Sequence, residues 1–582
     1  MIKNWTPSLK SNPLIENELF TELLSFSKTR DNETSEAYKI FSKLLLNRNI
    51  HSVTEAIAFN NFKIDQLHDP FLMKSMTQAV SRIKVALDTG QKIMVYGDYD
   101  VDGTTSVALM TSFLQELTSR LIYYIPDRYS EGYGISTIGI DYANDQNVDL
   151  IIALDCGIKA IDKIDYANSL NIDFIICDHH TPGDKIPDAI AVLDPKRNDC
   201  DYPYKELSGC GIGFKLCQAL QQTLKTPFDL VSLLDLTAIS IACDIVPVTG
   251  ENRILASLGL HLINSTPRAS IQVLLGEKKQ NIRISDLVFQ IGPKINAAGR
   301  ISKGKTSVDL LLASEAKEIS DFGLLINEFN DQRKDEDKRI TGEAIEMIQN
   351  NPAFESKNST VLYHPKWHKG VIGIVASRVI EQYYKPTIIL TDSKNDIIGG
   401  SVRSVKDFNV YNALEECTDH MIQFGGHKYA AGLTLKKSQL PGFIEHFEKV
   451  VNSQMTSSRF MPTISYDCEI TLDQVSKKLK SLIDKLEPFG PKNMVPTFIT
   501  KNVMDSGNSR SVGADKTHLK LEVTDPHTGT IISGIAFGFG HFEEEIKNGH
   551  PFNIAYSIDT NIWKERATIQ LMVKDIQFTN MK

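Results

Sequence analysis

The chain has 582 residues, 42% hydrophobic and 23% charged, with a formal net charge of −9. That composition excludes disordered and fibrous classes, and the length calls for about three to four domains. The negative balance leans away from nucleic acid, yet a polyvalent cation site concentrates carboxylates, and binding follows the local patch rather than the sum.

In chain order, residues 1–60 form a polar, mostly helical N-terminal segment with no apolar signal-peptide core. From Lys92 the pattern changes to short apolar runs at 92–96, 121–125, 149–154, 173–177 and 189–193, separated by helical stretches near 104–118, 136–146 and 159–170. Near-continuous apolar runs are the mark of buried parallel strands, so 61–314 is expected to be a doubly wound α/β domain. Residues 315–352 carry apolar positions at helical spacing around a charged middle, Asp331 to Arg339, which reads as a solvated face of a helix connecting two lobes. A smaller α/β unit follows over 353–455, with strands expected at 360–364, 387–391 and 397–401. Residues 456–582 alternate apolar and polar positions (Phe552, Ile554, Tyr556, Ile558; Ala567, Ile569, Leu571, Val573), predicting a small barrel or sandwich. No apolar run approaches the roughly 20 residues of a membrane helix. Eight cysteines without CxxC pairing, several in apolar runs (Cys156, Cys177, Cys243), fit buried free thiols in a reducing cytoplasm.

The chemistry gathers at strand ends. Asp98, Asp100 and Asp102 follow the first strand and are flanked by Gly97 and Gly103. Asp155 follows the third, and Asp178-His179-His180 the fourth. Each cluster alone reads as a helix cap or turn. Three clusters at matching carboxyl ends of one sheet predict convergence in the crevice where α/β sheets bind ligands. Oxygen-rich ligands with imidazole and no thiolate suit Mn2+ or Mg2+, and the number of carboxylates suggests two ions, a pair suited to phosphoryl displacement.

Val95-Tyr96-Gly97-Asp98-Tyr99-Asp100-Val101-Asp102-Gly103 and Asp178-His179-His180 resemble the first and third motifs of the DHH phosphoesterase superfamily. Asp155 and Asp244 resemble its second and fourth. Ile125-Pro126-Asp127-Arg128, Leu207-Ser208-Gly209-Cys210-Gly211, Gly292 to Arg300, and His368-Lys369-Gly370-Val371-Ile372-Gly373 further resemble the RecJ family of single-strand-specific exonucleases. Gly399 to Ser404 and Gly425 to Gly432 are similar to the DHH-associated substrate domain, and the tail to an oligonucleotide-binding (OB) fold. One departure is Lys492 in Gly490-Pro491-Lys492-Asn493, where the family pattern implies a second glycine.

The resemblance implies a 5′-to-3′ exonuclease of single-stranded DNA, acting in recombination and repair beside a single-strand-binding protein and a helicase. It implies one ion held by Asp98, Asp100 and Asp155, and another by Asp102, Asp155, His179 and Asp244. Asp178 would orient His179 or a water of the site, and His180 would face the scissile phosphate. Arg128, Arg300, Ser401, Arg403 and His427 would bind substrate, with the 5′-phosphate anchored in the second lobe. Barrel aromatics would stack on bases, Tyr556 and Trp563 being candidates, although core packing suits Tyr556 better. A shorter, small-molecule DHH phosphodiesterase is disfavoured by the barrel. A catalytically dead scaffold is disfavoured by carboxylates that would repel one another for nothing.

Overall fold

The computed structural model describes residues 3–8, 12–276, 281–393, 395–455, 461–564 and 566–578. The chain divides into two compact units: Phe62–Met455 with Gly490–Lys492, and Met1–Asn61 with Thr456–Phe489 and Asn493–Lys582.

In the first unit, five parallel strands are ordered Leu121–Tyr124, Ile93–Gly97, Leu150–Leu154, Asp173–Cys177, Ala191–Leu193. Alternate residues of one strand feed two cores. Ile93 and Val95 pack with the helices Val101–Leu114, Gly209–Leu224 and Leu234–Cys243, while Met94 and Tyr96 pack with Thr137–Asp145 and Ile161–Ser169. A sheet covered on both faces needs apolar strands throughout, which is why the runs lack alternation. The strand order reverses between Ile93–Gly97 and Leu150–Leu154, and a doubly wound sheet opens its ligand crevice at that switch.

The connecting helix is Ala316–Gln349. Ile319 and Ile326 belong to the core of the first lobe; Ile340, Ala344 and Ile348 belong to that of the second. Its charged middle pairs within itself (Lys334 with Asp331, Arg339 with Glu336 and Glu343), as a solvated face does. The second lobe has a five-stranded sheet ordered Gln423–His427, Ala430–Lys436, Ile397–Arg403, Thr387–Asp392, Thr360–Tyr363, parallel only in its last pair.

The second unit is a seven-stranded sheet that closes on itself through Met504–Thr524 and Asp505–Val523 pairing. Residues of the N-terminal segment complete its core: Leu19, Phe41, Leu44 and Leu45 pack with Leu479, Phe498 and Tyr556. The strand Asn4–Pro7 runs parallel to Thr463–Tyr466, and the Trp5 indole donates to Asp575 at 2.8 Å. Tyr556 is fully buried with its hydroxyl 2.8 Å from Thr500 Oγ1, a core residue as expected. The side chain of Trp563 lies outside the described residues. Lys492, at the position where a glycine was expected, has φ 63°, a conformation glycine adopts freely. All eight cysteines are free and seven are buried. Among the described residues no helix is long and apolar enough to cross a membrane.

Candidate metal centre

The loop after Ile93–Gly97 turns so tightly that a Cβ on Gly103 would stand 2.3 Å from the Asp98 carbonyl oxygen. Asp100 caps the following helix, accepting from the Gly103 amide at 3.0 Å, so the ordinary capping role and a place in the cluster coincide. Asp102 faces the start of the helix Gly209–Leu224. It accepts from the Gly209 and Cys210 amides at 2.7 and 2.8 Å and from Ser240 Oγ at 2.7 Å, as a carboxylate at a helix N-terminus does. Asp155 leaves its strand at φ 60°.

His179 stands between three of these carboxylates. Its Nε2 is 3.1 Å from Asp155, 3.5 Å from Asp244 and 3.8 Å from Asp102. Both oxygens of Asp98, Oδ1 of Asp155 and both ring nitrogens of His179 are buried without a hydrogen-bond partner. Each such atom costs about 1–3 kcal/mol when left unpaired, and together they form a donor set with cation-ligand chemistry. Asp155, His179 and His180 bring ligand atoms within 4.8 Å of one another, as do Asp102, His179 and Asp244. Burial, and then neighbouring carboxylates, pushes Asp98, Asp155 and Asp244 well above the usual carboxylate range, and burial raises Asp100.

Asp178 does not hold the ring of His179. Burial opposes its ionisation, but hydrogen bonds from the His180 ring and the Ile158 amide keep it down at about 2. Its Oδ1 takes the His179 and His180 amides and His180 Nδ1, the last at 2.7 Å. Burial alone would lower His180, yet the Asp178 contact raises it. The far side of that ring, Nε2, lies 2.9 Å from the Tyr133 hydroxyl.

The other expected substrate residues mostly gather in a cavity of about 400 Å³, lined by Tyr99, Arg128, Arg300, Gly370, Ser401 and Arg403 among others. Arg403 donates to Ser401 Oγ at 3.1 Å, Arg300 to the Gly370 carbonyl at 2.8 Å, and the Arg128 guanidinium lies 4.3 Å from the centre of the Tyr99 ring. Burial, then mutual repulsion among these arginines, lowers Arg300 to about 10 and also lowers Arg403. No carboxylate lines the cavity among the described residues, and clustered guanidinium groups suit a bidentate anion. His427 is not in that lining; most of its side chain is exposed, and partial desolvation, then the charge of His180, lowers it.

Sequence reasoning passed over two residues. Asp194 follows the strand Ala191–Leu193, is fully buried with Oδ2 unpaired, and is pushed by burial to about 7. The strand-end rule that found Asp155 could have found it. Tyr133, whose hydroxyl meets His180 Nε2, is the other.

Paired carboxylates and imidazoles at a switch point, beside a cavity built for anions, place the chain among the metal-dependent phosphoesterases. The family model for the DHH family, N-terminal domain, matches residues 92–241, the DHHA1 domain 356–453, and the RecJ OB domain 466–575. The chain belongs to the RecJ family of single-stranded-DNA-specific exonucleases. It is 35% identical to the RecJ of Bacillus subtilis over 92% of this chain and 67% of that protein. It is 31% identical to the RecJ of Escherichia coli over 87% and 90%. A crystal structure of RecJ from Thermus thermophilus in complex with Mn2+ superposes with a TM-score of 0.81 at 23% identity, covering 99% of this chain and 80% of that one, a likeness of fold. A crystal structure of an exonuclease RecJ bound to manganese gives 0.58 at 29% identity, over 65% of this chain and 95% of that one.

Proposed function

We propose that this protein hydrolyses single-stranded DNA from its 5′ end, one phosphodiester at a time, with two divalent ions, Mn2+ or Mg2+. The observation that carries the reading is the set of unpaired buried oxygens and imidazole nitrogens in one lobe of a unit that also holds a cation-lined, carboxylate-free cavity.

Asp98, Asp100 and Asp155 would hold one ion, and Asp102, Asp155, His179 and Asp244 would hold the other. Asp102 Oδ1 is occupied by Cys210, Ser240 and Ser106, whereas Oδ2 accepts only the Gly209 amide and keeps lone-pair capacity for a cation. Bound there, the ions supply Lewis acidity and activation of water for in-line displacement. Asp178 fixes the His180 ring, so that His180 offers a proton donor to charge developing on the scissile phosphate. The nitrogen left for that donation, Nε2, is the one beside the Tyr133 hydroxyl. Arg128, Arg300, Ser401 and Arg403 take the terminal 5′-phosphate, which sets polarity: the end that fits the cavity is the end that is cut. His427 stands apart from that group, near His180. The barrel adds affinity for the strand through charge and stacking, roughly 1–3 kcal/mol per stacked base. A cytoplasmic role in recombination and repair, beside a helicase and a single-strand-binding protein, belongs to the same reading, as do the limits 1–60 for the N-terminal segment, 61–314, 315–352 for the connecting helix, 353–455 and 456–582.

The test is purified protein with manganese and end-labelled single- and double-stranded DNA. Mononucleotides released from the 5′ end of single strands only are expected; release from 3′ ends or from blunt duplex would refute it. Arg403→Ala should slow cutting of a 5′-phosphorylated strand far more than that of a 5′-hydroxyl strand. Equal loss on both would remove the 5′-phosphate role.

A further inference from the structure

Two lysines at the metal centre have no part in the site described so far. Lys159 lies in the loop after Leu150–Leu154, next to Ile158, whose amide donates to Asp178 at 2.9 Å. Its side chain is exposed, with Cγ 4.0 Å from where a Gly183 Cβ would be, in the loop that follows His180. Lys159 has no carboxylate within ion-pair distance among the described residues. Lys196 lies after Ala191–Leu193, and its amide donates to the buried Asp194 at 2.7 Å. Its ammonium is 3.6 Å from Glu206, a loose and partly exposed pair. Such a pair contributes about 0–1 kcal/mol and leaves the charge free for another anion.

Cations are distributed unevenly around the carboxylates. Arg128 bears on Asp98 and Asp100. Lys196 bears on Asp244, His179 and Asp194. Lys159 and Lys196 both bear on His427, as His180 does. Neither lysine lines the arginine cavity. The strand order shows the same layout: Arg128 follows the edge strand Leu121–Tyr124, Asp98, Asp155 and Asp178 follow the three strands between, and Lys196 follows the opposite edge strand Ala191–Leu193, so the site has an arginine end, an acidic middle and a lysine end.

We propose that Lys159 and Lys196 grip the second internucleotide phosphate, the one immediately 3′ of the bond being broken. This rests on the exonuclease reading above. A strand anchored by its 5′-phosphate among the arginines, with its first internucleotide phosphate at the carboxylate cluster, must leave on the side away from the arginines. There it passes the part-exposed carboxylate of Glu206, which would repel a phosphate lacking a counter-charge. The choice of residue fits the task. Bidentate arginines suit a terminus held still, whereas a compact ammonium on a flexible stem can follow a phosphate that advances one step per turnover.

A chemical double-mutant cycle tests this. The substrates are two 5′-phosphorylated single strands, one native and one with an uncharged methylphosphonate at the second linkage only. The enzymes are wild type and the double variant Lys159→Met, Lys196→Met, with single-turnover release of the first nucleotide in manganese as the readout. Removing a charge-assisted contact should slow the variant on the native strand about tenfold or more. The methylphosphonate should slow the wild type by a similar factor. The two changes together should cost no more than either alone. Losses that multiply, or a variant as fast as wild type on the native strand, would overturn the proposal. Lysines that serve the ions rather than the strand would also reduce the manganese-induced rise in melting temperature; an unchanged rise is expected, and a reduced one counts against strand binding. A wild type inert on the native strand would defeat the exonuclease reading itself.

Discussion

Asp155 shows how a single residue can carry conflicting demands. Its φ of 60° is a left-handed conformation that asparagine and aspartate tolerate better than other side chains. Its carboxylate is buried against Asp102 and His179, where ionisation is disfavoured without cations. Asp155→Asn keeps the backbone preference and the volume but removes the charge that two ions would share. Hydrolysis should therefore fall to background, while urea unfolding of the metal-free protein stays within about 1 kcal/mol of wild type or improves. Near-normal activity would sink the ligand assignment. The acidic clusters at 98–102, 155 and 178–180 were legible because a charge at the end of an apolar run is a local signal. Asp244 was not, apart from family resemblance, because it follows a helix, Leu234–Cys243, rather than a strand. The ring that Asp178 holds was also misread. The turn after the strand brings the amide and Nδ1 of His180, two residues on, to Asp178 Oδ1, and sequence spacing alone does not reveal that.

Among elements, the first turn of Gly209–Leu224 does most to shape the cluster. Its amides point at Asp102, and its first residue lies against Asp155 so closely that a Cβ on Gly209 would stand 2.7 Å from the Asp155 Cβ. Gly209→Ala must therefore push the helix or Asp155 aside, costing about 1–3 kcal/mol by overpacking. Activity should drop by more than that stability loss explains. Gly211→Ala, two residues along, meets its nearest atoms only at 3.4 Å and serves as the control. There the gain in helix propensity, about 0.5–1 kcal/mol, should leave stability equal or higher. Urea midpoints and turnover of both variants decide it; matched losses would deny Gly209 its special contact. The Leu-Ser-Gly-Cys-Gly segment was recognisable as a motif, but its reason lies in this approach between distant segments. The hairpin Gln423–His427 and Ala430–Lys436 was likewise known only as a glycine-rich motif. A strand carrying Gly425 and Gly426 and exposed along most of its length offers no apolar alternation to read.

At the level of the whole molecule, two kinds of long-range coupling were invisible in the sequence. The helices of residues 13–59 display apolar faces, but periodicity cannot say that their partners are Leu479, Phe498 and Tyr556, more than 400 positions away. The second coupling links the metal centre to global stability. Asp98, Asp155 and Asp244 have folded-state values above the roughly 3.9 of an unfolded aspartate. Their contribution is thus fully present below about pH 4 and is lost as pH rises through the raised values. Asp178, held at about 2, acts in the opposite sense and loses its contribution only as pH falls toward that value. The metal-free protein should therefore carry growing strain from its carboxylates between weakly acidic and neutral pH. Divalent ions compete with protons for the same oxygens, so they relieve more strain where fewer protons remain. Manganese at about a hundred times its dissociation constant stabilises by about 2.7 kcal/mol through mass action alone. Melting curves of chelator-treated and manganese-loaded protein should diverge steadily from pH 5 to pH 8, and Asp155→Asn should flatten that divergence. A melting-temperature gap that is constant with pH would mean that the ion does not bind at these carboxylates.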